Sequence, residues 1–362
     1  MRIGVDAREL SGRPTGVGRY LAGLLTDWSN NAAARKHEFV LYAAQPIAAE
    51  LDTHRFIPRT VAGSGGTWWE QISVPPAAAA DRLDAWFAPG YTAPLRLESP
   101  IVVAVHDLSF VAHPEWFRIR EGMRRRFICG RTVAAARAVV TISEFSRREL
   151  IERLNVAENK IHVIPPAVHH LSPQPSALSH DRPRILFVGT IFNRRHVPDL
   201  VRAFAPIARA HADAFLDIVG DDRTYPREDL AGTIAAEALE GQVRWHQYVD
   251  DDRLRELYAS ARAFAFLSEY EGFGMTPLEA LSAGVPSVLL DTPVARETCG
   301  STALYVALND LTATTEALQR LLFDAETRNR LLNARVHTLA RYGPGRAGRD
   351  TLSVIENAAL KS

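Results

Sequence analysis

Two glutamates, Glu271 and Glu279, lie eight positions apart on either side of a glycine-rich turn in the segment 268–280. The apolar run 263–267 before this turn predicts a buried strand, and a helix is predicted to begin near Thr276. In a doubly wound sheet, a strand followed by a glycine turn and a helix forms a ligand site at the carboxyl edge. Backbone N–H groups at the start of such a helix suit phosphate or sugar oxygens. The segment therefore predicts a site for a ligand that carries both hydroxyl groups and phosphates.

A second candidate is the arginine pair Arg194 and Arg195, which follows a predicted strand at 184–188 and its terminal Gly189. Two guanidinium groups beside a helix N-terminus can bind a diphosphate through charge-assisted hydrogen bonds. Such a pair could replace a divalent metal in stabilising a leaving group. The alternative is an ordinary solvated basic turn.

A glycine-containing segment at 14–20 follows the first predicted strand and opens the first predicted helix. Gly16 and Gly18 would let a diphosphate approach backbone amides at that helix N-terminus. The alternative is an ordinary turn and cap. The segment lacks both the full dinucleotide fingerprint and the Gly-Lys-Ser/Thr sequence of a P-loop.

His106 follows a strongly apolar predicted strand at 101–105, and strand ends at this edge face the ligand crevice. A histidine there can donate a hydrogen bond to a phosphate or sugar oxygen. Its neighbour Asp107 would either orient the ring or cap the next turn. A histidine by itself is more often structural than functional, but the position at the strand end favours a function here.

Two charged runs have simpler explanations. The segment 250–252 is Asp-Asp-Asp and matches the Asp-x-Asp motif that holds a metal in some sugar transferases. Because a helical pattern follows it directly, we interpret it as a helix cap. The arginines of the stretch 118–131 are interpreted as a solvated helix face, with an anionic lipid surface or an acceptor phosphate as the alternative.

The composition excludes several classes of function. The 42 basic and 42 acidic residues leave no net charge, which argues against nucleic-acid binding. Only three lysines occur, all terminal or in polar surroundings, which argues against pyridoxal-phosphate chemistry. Cys129 and Cys299 have no metal or redox spacing, which favours a reducing compartment. The sequence begins with a predicted strand, with no signal peptide and no apolar run of the ~20 residues that span a bilayer, so we expect a cytoplasmic protein.

Strands and helices are predicted to alternate in both halves, which indicates two parallel sheets covered by helices. Predicted strands of the first half are 3–6, 39–42, 85–88, 101–105, 138–142 and 161–164, with helices at 18–28, 116–136 and 144–154. Predicted strands of the second half are 184–188, 215–219, 243–245, 263–267 and 285–290, with a helix at 197–210. The segment 169–183 is predicted to be a linker. We expect one domain at 1–168, with a helix at 346–362 packed back on it, and a second at 169–345.

With these elements in place, the chain resembles the retaining glycosyltransferases of family four, over nearly its whole length. The strongest likeness is Glu271-x7-Glu279 within Ser-x-x-Glu-Gly-Phe-Gly, and Arg194-Arg195 stands where the family usually carries Arg-Lys. His106-Asp107 and the glycine segment at 15–18 also match. The clusters at 68–71 and 106–116 are most similar to bacterial mannosyltransferases of polysaccharide and O-antigen assembly.

The resemblance implies the GT-B fold, in which two Rossmann-like domains flank a cleft that holds a nucleotide-diphosphate sugar. It implies a transfer that retains the anomeric configuration and needs no metal. The favoured donor is GDP-mannose, and the acceptor is a glycan or lipid-linked glycan in polysaccharide or lipopolysaccharide synthesis. No cofactor is expected, and a peripheral contact with the cytoplasmic face of the inner membrane is left open. Gln247, where the family usually has Gly, weakens any assignment of the nucleotide base.

The resemblance also implies roles for individual residues. Glu279 would bind the ribose hydroxyls, Glu271 would hold a sugar hydroxyl, and His106 would orient sugar and phosphate. The catalytic residues implied are His106, Arg194, Arg195 and Glu271. The donor-binding residues implied are Gly16, Gly18, Gly189, Phe273, Gly274, Met275, Thr276 and Glu279. Two alternatives stay open at this point, a nucleotide-sugar epimerase of the same architecture and a non-catalytic sugar-nucleotide-binding scaffold.

Overall fold

A computed structural model describes residues 1–12, 16–47, 52–168 and 182–360. The chain divides into two compact units. The first comprises the described residues of Met1–Ala167 and Tyr342–Ser362, and the second comprises those of Val168–Arg341. Both units are three-layer α/β structures built on a parallel sheet, so the predicted fold class of two Rossmann-like domains is confirmed.

The first unit contains a seven-stranded sheet in the order β3-β2-β1-β4-β5-β6-β7, with every neighbouring pair parallel. Its strands are β1 (Arg2–Asp6), β2 (Glu38–Ala43), β3 (Phe56–Thr60), β4 (Ala85–Ala88), β5 (Ile101–Ala104), β6 (Ala138–Thr141) and β7 (Ile161–Val163). Strand order reverses between β1 and β4, which places the topological switch point of this sheet beyond their carboxyl ends.

Helices cover both faces of this sheet. They are α1 (Gly16–Asn30), α2 (Val74–Asp81), α3 (Ser109–Ala112), α4 (Ile119–Ala135), α5 (Glu144–Leu154) and, from the end of the chain, α14 (Arg346–Leu360). Successive side chains of β2 enter opposite cores, since Phe39 and Leu41 pack on one face while Val40 and Tyr42 pack on the other. A strand buried on both faces needs a continuous apolar sequence, and this explains why the central strands β4 and β5 are apolar without alternation.

The helix α14 packs on α1, and hydrogen bonds join the two helices. The indole Nε1 of Trp28 donates to the carbonyl oxygen of Gly348 at 2.8 Å. The carboxylate of Asp27 accepts from the N–H groups of Gly345 at 2.9 Å and Gly348 at 3.0 Å, and therefore caps the first turn of α14. Leu352 and Ile355 then enter the core beneath the sheet.

The second unit contains a six-stranded parallel sheet in the order β10-β9-β8-β11-β12-β13. Its strands are β8 (Arg184–Val188), β9 (Phe215–Val219), β10 (Val243–His246), β11 (Ala263–Phe266), β12 (Ser287–Leu290) and β13 (Ala303–Val306). Its helices are α6 (Val197–Ala210), α7 (Leu230–Ala236), α8 (Asp251–Ser260), α9 (Met275–Ser282), α10 (Pro293–Cys299), α11 (Leu311–Phe323), α12 (Ala325–Asn333) and α13 (Arg335–Ala340). Strand order reverses between β8 and β11.

Several elements differ from the sequence prediction. The edge strands β3 and β13 were not predicted, and β3 contains Pro58 and exposed polar residues, which only an edge strand accommodates. The predicted helix at 116–136 begins only at Ile119, because the backbone of Arg118 is extended. The helix predicted to begin near Thr276 begins at Met275. Most of the predicted linker at 169–183 lies outside the described residues.

Candidate functional site

The main candidate site of the second unit lies at its switch point. The loop after β8 carries Gly189, Arg194 and Arg195, and the loop after β11 carries Glu271 and the start of α9. Because β8 and β11 are hydrogen-bonded parallel neighbours, their carboxyl ends place these two loops side by side. The residues predicted from two separate stretches of sequence therefore form one cluster.

An ion pair joins the two loops. Arg195 Nε donates to Glu271 Oε1 at 2.9 Å, and Nη2 lies 2.8 Å from the same oxygen. Ser268 Oγ also donates to this oxygen at 2.9 Å, while Arg195 Nη1 donates to the carbonyl oxygen of Thr190 at 2.8 Å. The guanidinium group lies 4.9 Å from the ring centroid of Phe266. Both charged side chains are largely buried, so their positions are fixed by packing as well as by charge.

Two glycines make room for this arrangement. Gly189 has a φ of +149°, and a Cβ there would lie 2.5 Å from Arg195 Nη1. Gly220, at the equivalent end of the neighbouring strand β9, has a φ of +159°, and a Cβ there would overlap the carbonyl oxygen of Gly189. The backbone turns at the two strand ends therefore pack directly on each other, and only glycine permits this contact.

The start of α9 supplies the backbone amides that the sequence predicted. Gly274 is the residue before the helix, with a left-handed φ of +89°, and a Cβ there would meet open space. Phe273 is buried, whereas Met275 and Thr276 are partly exposed in the first turn. The first-turn N–H groups of a helix have no intrahelical acceptor, so this end of α9 is suited to an anion.

Glu279 lies one turn into α9, half-buried, with the hydroxyl of Tyr258 3.5 Å from its Oε2. Arg194 lies over the ring of Phe192 at 4.5 Å, and its carbonyl oxygen accepts from the N–H of Glu269 at 2.9 Å. That backbone bond is a second connection between the loops after β8 and β11. The structure thus brings Arg194, Arg195 and Glu271 together around one pair of strand ends.

In the first unit, His106 lies just beyond β5 and beside the backbone of the loop that follows β4. Its Nε2 lies 2.6 Å from the carbonyl oxygen of Pro89, which requires that this nitrogen carry the proton. The rings of Tyr20 and Tyr91 meet the imidazole edge-on, at centroid distances of 4.7 and 5.7 Å. Burial lowers the pKa of His106, opposed by the Pro89 carbonyl and the charge of Asp107, so the imidazole is neutral at pH 7.

Asp107 caps the turn that follows it, which is one of the two roles predicted for this residue. Its Oδ1 accepts from the N–H of Ser109 at 2.8 Å and from the Ser109 hydroxyl at 2.7 Å, and its Oδ2 accepts from the Tyr91 hydroxyl at 3.0 Å. Asp107 therefore positions one of the two tyrosines that surround His106.

The glycine segment of the first unit is only partly described. Gly16 is the first residue of α1, and Gly18 is buried in its first turn, whereas Pro14 and Thr15 lie outside the described residues. Gly90, in the loop after β4, is in close contact with α1, since a Cβ there would lie 2.9 Å from Val17 Cγ1. The start of α1 and the loop after β4 meet at the switch point of the first sheet.

The acidic run 250–252 has the structural role of a helix cap. Asp250 caps α8 through the N–H of Arg253 at 2.8 Å, and Asp252 pairs with Arg255, which confirms the capping interpretation. Within the described ranges, no group of three or more His, Cys, Asp or Glu residues is arranged to hold a metal ion. Metal independence stays a prediction. Cys129 and Cys299 are buried free thiols, and burial raises the pKa of each to about 12.

Sequence reasoning assigned no role to four contributors to these sites. They are Gly220, Ser268, Tyr20 and Tyr91. Gly220 directly follows an apolar strand, as Gly189 does, and this shared pattern could have identified it. No sequence signal identifies the tyrosines, since their contacts with His106 join residues from three different segments.

Comparisons with known proteins agree with this description. The profile of the family "Glycosyltransferase Family 4" matches residues 15–170, and that of "Glycosyl transferases group 1" matches residues 170–335. The chain is similar to "O-antigen chain mannosyltransferase B" of Escherichia coli, with 28% identity over 66% of this chain and 65% of the relative. It is also similar to "O-antigen chain mannosyltransferase RfbU" of Salmonella typhimurium, with 26% identity over 58% of this chain and 57% of the relative. The chain thus spans less than two thirds of the length of either relative.

Among solved structures, the chain is similar to Anabaena Alr3699/HepE in complex with UDP and glucose. The TM-score is 0.78 at 18% identity, over 99% of this chain and all of the other. At this identity the likeness concerns the fold. Within the described residues, no helix is long and apolar enough to cross a membrane.

Proposed function

We propose that this chain, whose residues 15–170 match the family 4 glycosyltransferases and whose residues 170–335 match the group 1 glycosyl transferases, moves a sugar from a nucleotide-diphosphate sugar to an acceptor hydroxyl. The proposed donor is GDP-mannose, and the proposed acceptor is a glycan or lipid-linked glycan of cell-surface polysaccharide. The relatives named as O-antigen mannosyltransferases support the choice of mannose. The observation that carries the proposal is the Arg195–Glu271 pair beside the amide-lined start of α9.

Each part of this cluster suits one part of such a donor. The N–H groups at the start of α9 and the charges of Arg194 and Arg195 suit the diphosphate. Glu279, one turn further along α9, is assigned to the ribose hydroxyls. Glu271 is assigned to a hydroxyl of the transferred sugar, since a carboxylate held by Arg195 and Ser268 is a fixed acceptor.

We assign a retaining reaction by front-side attack. The bond between the sugar C1 and the diphosphate oxygen breaks, the bond between C1 and the acceptor oxygen forms, and the acceptor proton passes to the departing phosphate. Arg195 stabilises the negative charge that develops on that phosphate, and electrostatic stabilisation of this kind is usually the largest single term in enzyme catalysis. Proton NMR of the product tests the assignment, because an inverted anomeric centre would exclude it.

A thermal-shift measurement on the purified chain tests the donor. Binding raises the free energy of unfolding by RT ln(1 + [L]/Kd), so GDP and GDP-mannose should shift the melting temperature while ADP and TDP should not. A shift with UDP alone would retain the transferase and reject the mannosyl assignment. No shift with any nucleotide would favour a scaffold, and turnover of donor without acceptor would favour an epimerase.

We further propose that the reaction needs no divalent metal, because two arginines at the diphosphate position can supply the positive charge. The test is turnover in excess chelator. Unchanged turnover is expected, whereas a loss that Mg²⁺ or Mn²⁺ restores would overturn this part of the proposal. His106 and the glycines Gly16 and Gly18 of the first unit are proposed to orient the donor, and single substitutions at each are the corresponding test.

A further inference from the structure

The helix α4 exposes a row of large apolar side chains. Ile119, Met123 and Phe127 are 79%, 58% and 68% exposed, although each is a residue that ordinarily enters a core. They recur every four positions and so lie along one side of the helix. The opposite side of α4 packs on the unit through Cys129, Val133 and their neighbours. The exposed row is therefore a second apolar face, separate from the one that holds the helix in place.

Arginines border this row on both sides. At 3.6 residues per turn, the three apolar residues cover an arc of roughly 80°. Arg120, Arg124 and Arg131 follow on one side of the arc, and Arg126 borders the other. Glu121 is the acidic residue of this helix, and its carboxylate pairs with Arg125 at 2.6 Å. The exposed face of α4 thus combines apolar side chains with uncompensated positive charge.

A neighbouring segment extends this face. The guanidinium of Arg124 hydrogen-bonds to the hydroxyl of Thr67, the residue before Trp68. Trp68 is 75% exposed, and Ile72, one turn later, is also exposed. Six large hydrophobic residues are exposed among the described residues of the first unit. Five of the six are Trp68, Ile72 and the three residues of the row on α4. Such clustering distinguishes a binding surface from the scattered apolar residues of an ordinary surface.

We propose that this face, formed by Trp68, Ile72, Ile119, Met123 and Phe127 with its bordering arginines, docks the protein on an anionic lipid bilayer. Arginine side chains can extend along the apolar surface and place their guanidinium groups among lipid phosphates. Isoleucine, methionine and phenylalanine enter the boundary between headgroups and acyl chains, and tryptophan is suited to that same depth. Charge complementarity favours a membrane over a neutral protein partner, because the face carries four arginines beside its apolar row.

The experiment is co-sedimentation of the full chain with vesicles. Phosphatidylcholine vesicles are compared with vesicles that contain phosphatidylglycerol in equal parts, at low and at high salt. We expect binding to the anionic vesicles that weakens with salt. The triple variant Ile119→Ser, Met123→Ser, Phe127→Ser should lower the partition coefficient about tenfold or more, since it removes the inserted apolar groups. The charge variant Arg120→Glu, Arg124→Glu should remove the preference for anionic lipid.

A matched control carries Leu308→Ser, Val336→Ser and Leu360→Ser, which replace three other exposed aliphatic residues. This control should bind vesicles as the parent chain does. Equal binding by the α4 variant, or no binding of the parent chain to anionic vesicles, would overturn the proposal. A parent chain that is dimeric in solution, and becomes monomeric in the α4 variant, would assign the face to a second copy instead. Vesicle binding needs no sugar donor, so this outcome is independent of the proposed transfer reaction.

Discussion

Arg195 and Glu271 are 76 positions apart in sequence, yet both Nε and Nη2 of the arginine lie within 3 Å of one carboxylate oxygen. The pair spans the switch point between β8 and β11, and Ser268 donates to the same oxygen. The guanidinium is thereby held in place before any ligand arrives. Preorganised charge of this kind is effective in catalysis because no reorganisation is needed when the leaving group becomes negative.

The first prediction concerns Arg195. Arg195→Ala should lower kcat by about 100-fold or more, because a fixed cation that stabilises a leaving phosphate is lost. Arg195→Lys should recover part of the loss, since it restores the charge without the bidentate geometry. Steady-state kinetics with saturating donor measure both. If Arg195→Ala changed KM alone, the arginine would act in ground-state binding only.

The second prediction concerns Glu279. Glu279→Ala should weaken nucleotide binding about tenfold or more, with a smaller effect on kcat, because hydrogen bonds to a charged group are lost in ground state and transition state alike. Titration calorimetry with the nucleotide measures the Kd. The exposed Glu240, changed to alanine, is the matched control and should bind as the parent chain does. An unchanged Kd for Glu279→Ala would remove this residue from the site.

The third prediction separates two glycines of the second unit. Gly189→Ala should reduce kcat and destabilise the fold by about 1–3 kcal/mol, since the new methyl group meets Arg195 and the backbone is strained. Gly241→Ala is the control, because a Cβ there meets nothing within 4 Å. Chemical unfolding and kinetics together distinguish the cases. Full activity in Gly189→Ala would show that the position of Arg195 is not critical.

The fourth prediction concerns pH. Burial lowers the pKa of His106 below its ordinary 6.5, so the unfolded chain binds this proton more readily than the folded chain. The neutral imidazole of His106 therefore makes its full contribution to the free energy of unfolding above pH 6.5. This contribution is lost as the pH falls from 6.5 toward the lowered pKa. The melting temperature measured between pH 5 and 8 should decline on the acid side.

His106→Gln should make that acid-side decline shallower. Burial lowers the pKa of His37 as well, so His37 also contributes to the acid-side decline of the parent chain. His106→Gln should therefore remove only part of that decline. Changing the exposed His54 to glutamine is the control and should leave the slope as it is. A slope that is the same in the parent chain and in His106→Gln would show that the imidazole is not held neutral.

The fifth prediction compares two helical glycines of the first unit. A Cβ at Gly348 would overlap the Cβ of Asp27, whereas one at Gly23 in α1 meets open space. Gly348→Ala should therefore destabilise the chain by about 1–3 kcal/mol through overpacking, and Gly23→Ala should stabilise it by roughly 0.5–1 kcal/mol. Urea denaturation measures both. Destabilisation by Gly23→Ala would contradict the packing described for α1.

The sequence predicted the elements whose signals are local. Apolar runs located most strands, and Asp250 accepts the backbone hydrogen bond expected of a helix cap. The motifs around Arg195 and Glu271 were predicted as two ligand-binding loops, and the family resemblance implied that both bind one donor. What remained hidden depends on contacts between distant segments.

Three features illustrate that limit. The edge strand β3 is short, polar and contains a proline, so its pairing with β2 decides its structure more than its own residues do. Gly189 and Gly220 each directly follow an apolar strand, but neither segment alone shows that the two backbone turns pack against each other. The exposed apolar row on α4 was interpreted from its arginines as a solvated face, because sequence does not reveal which of two apolar stripes enters the core.

The membership of α14 in the first unit has a consequence for synthesis on the ribosome. Residues 1–167 leave the exit tunnel first, but Trp28 and Asp27 find their partners, Gly348 and Gly345, only after the second unit has emerged. Until then, the core side of α1 lacks Leu352 and Ile355 and presents apolar surface to the cell. The unit that is translated first is therefore completed last, and a nascent chain that stalls before residue 346 should be a substrate for chaperones.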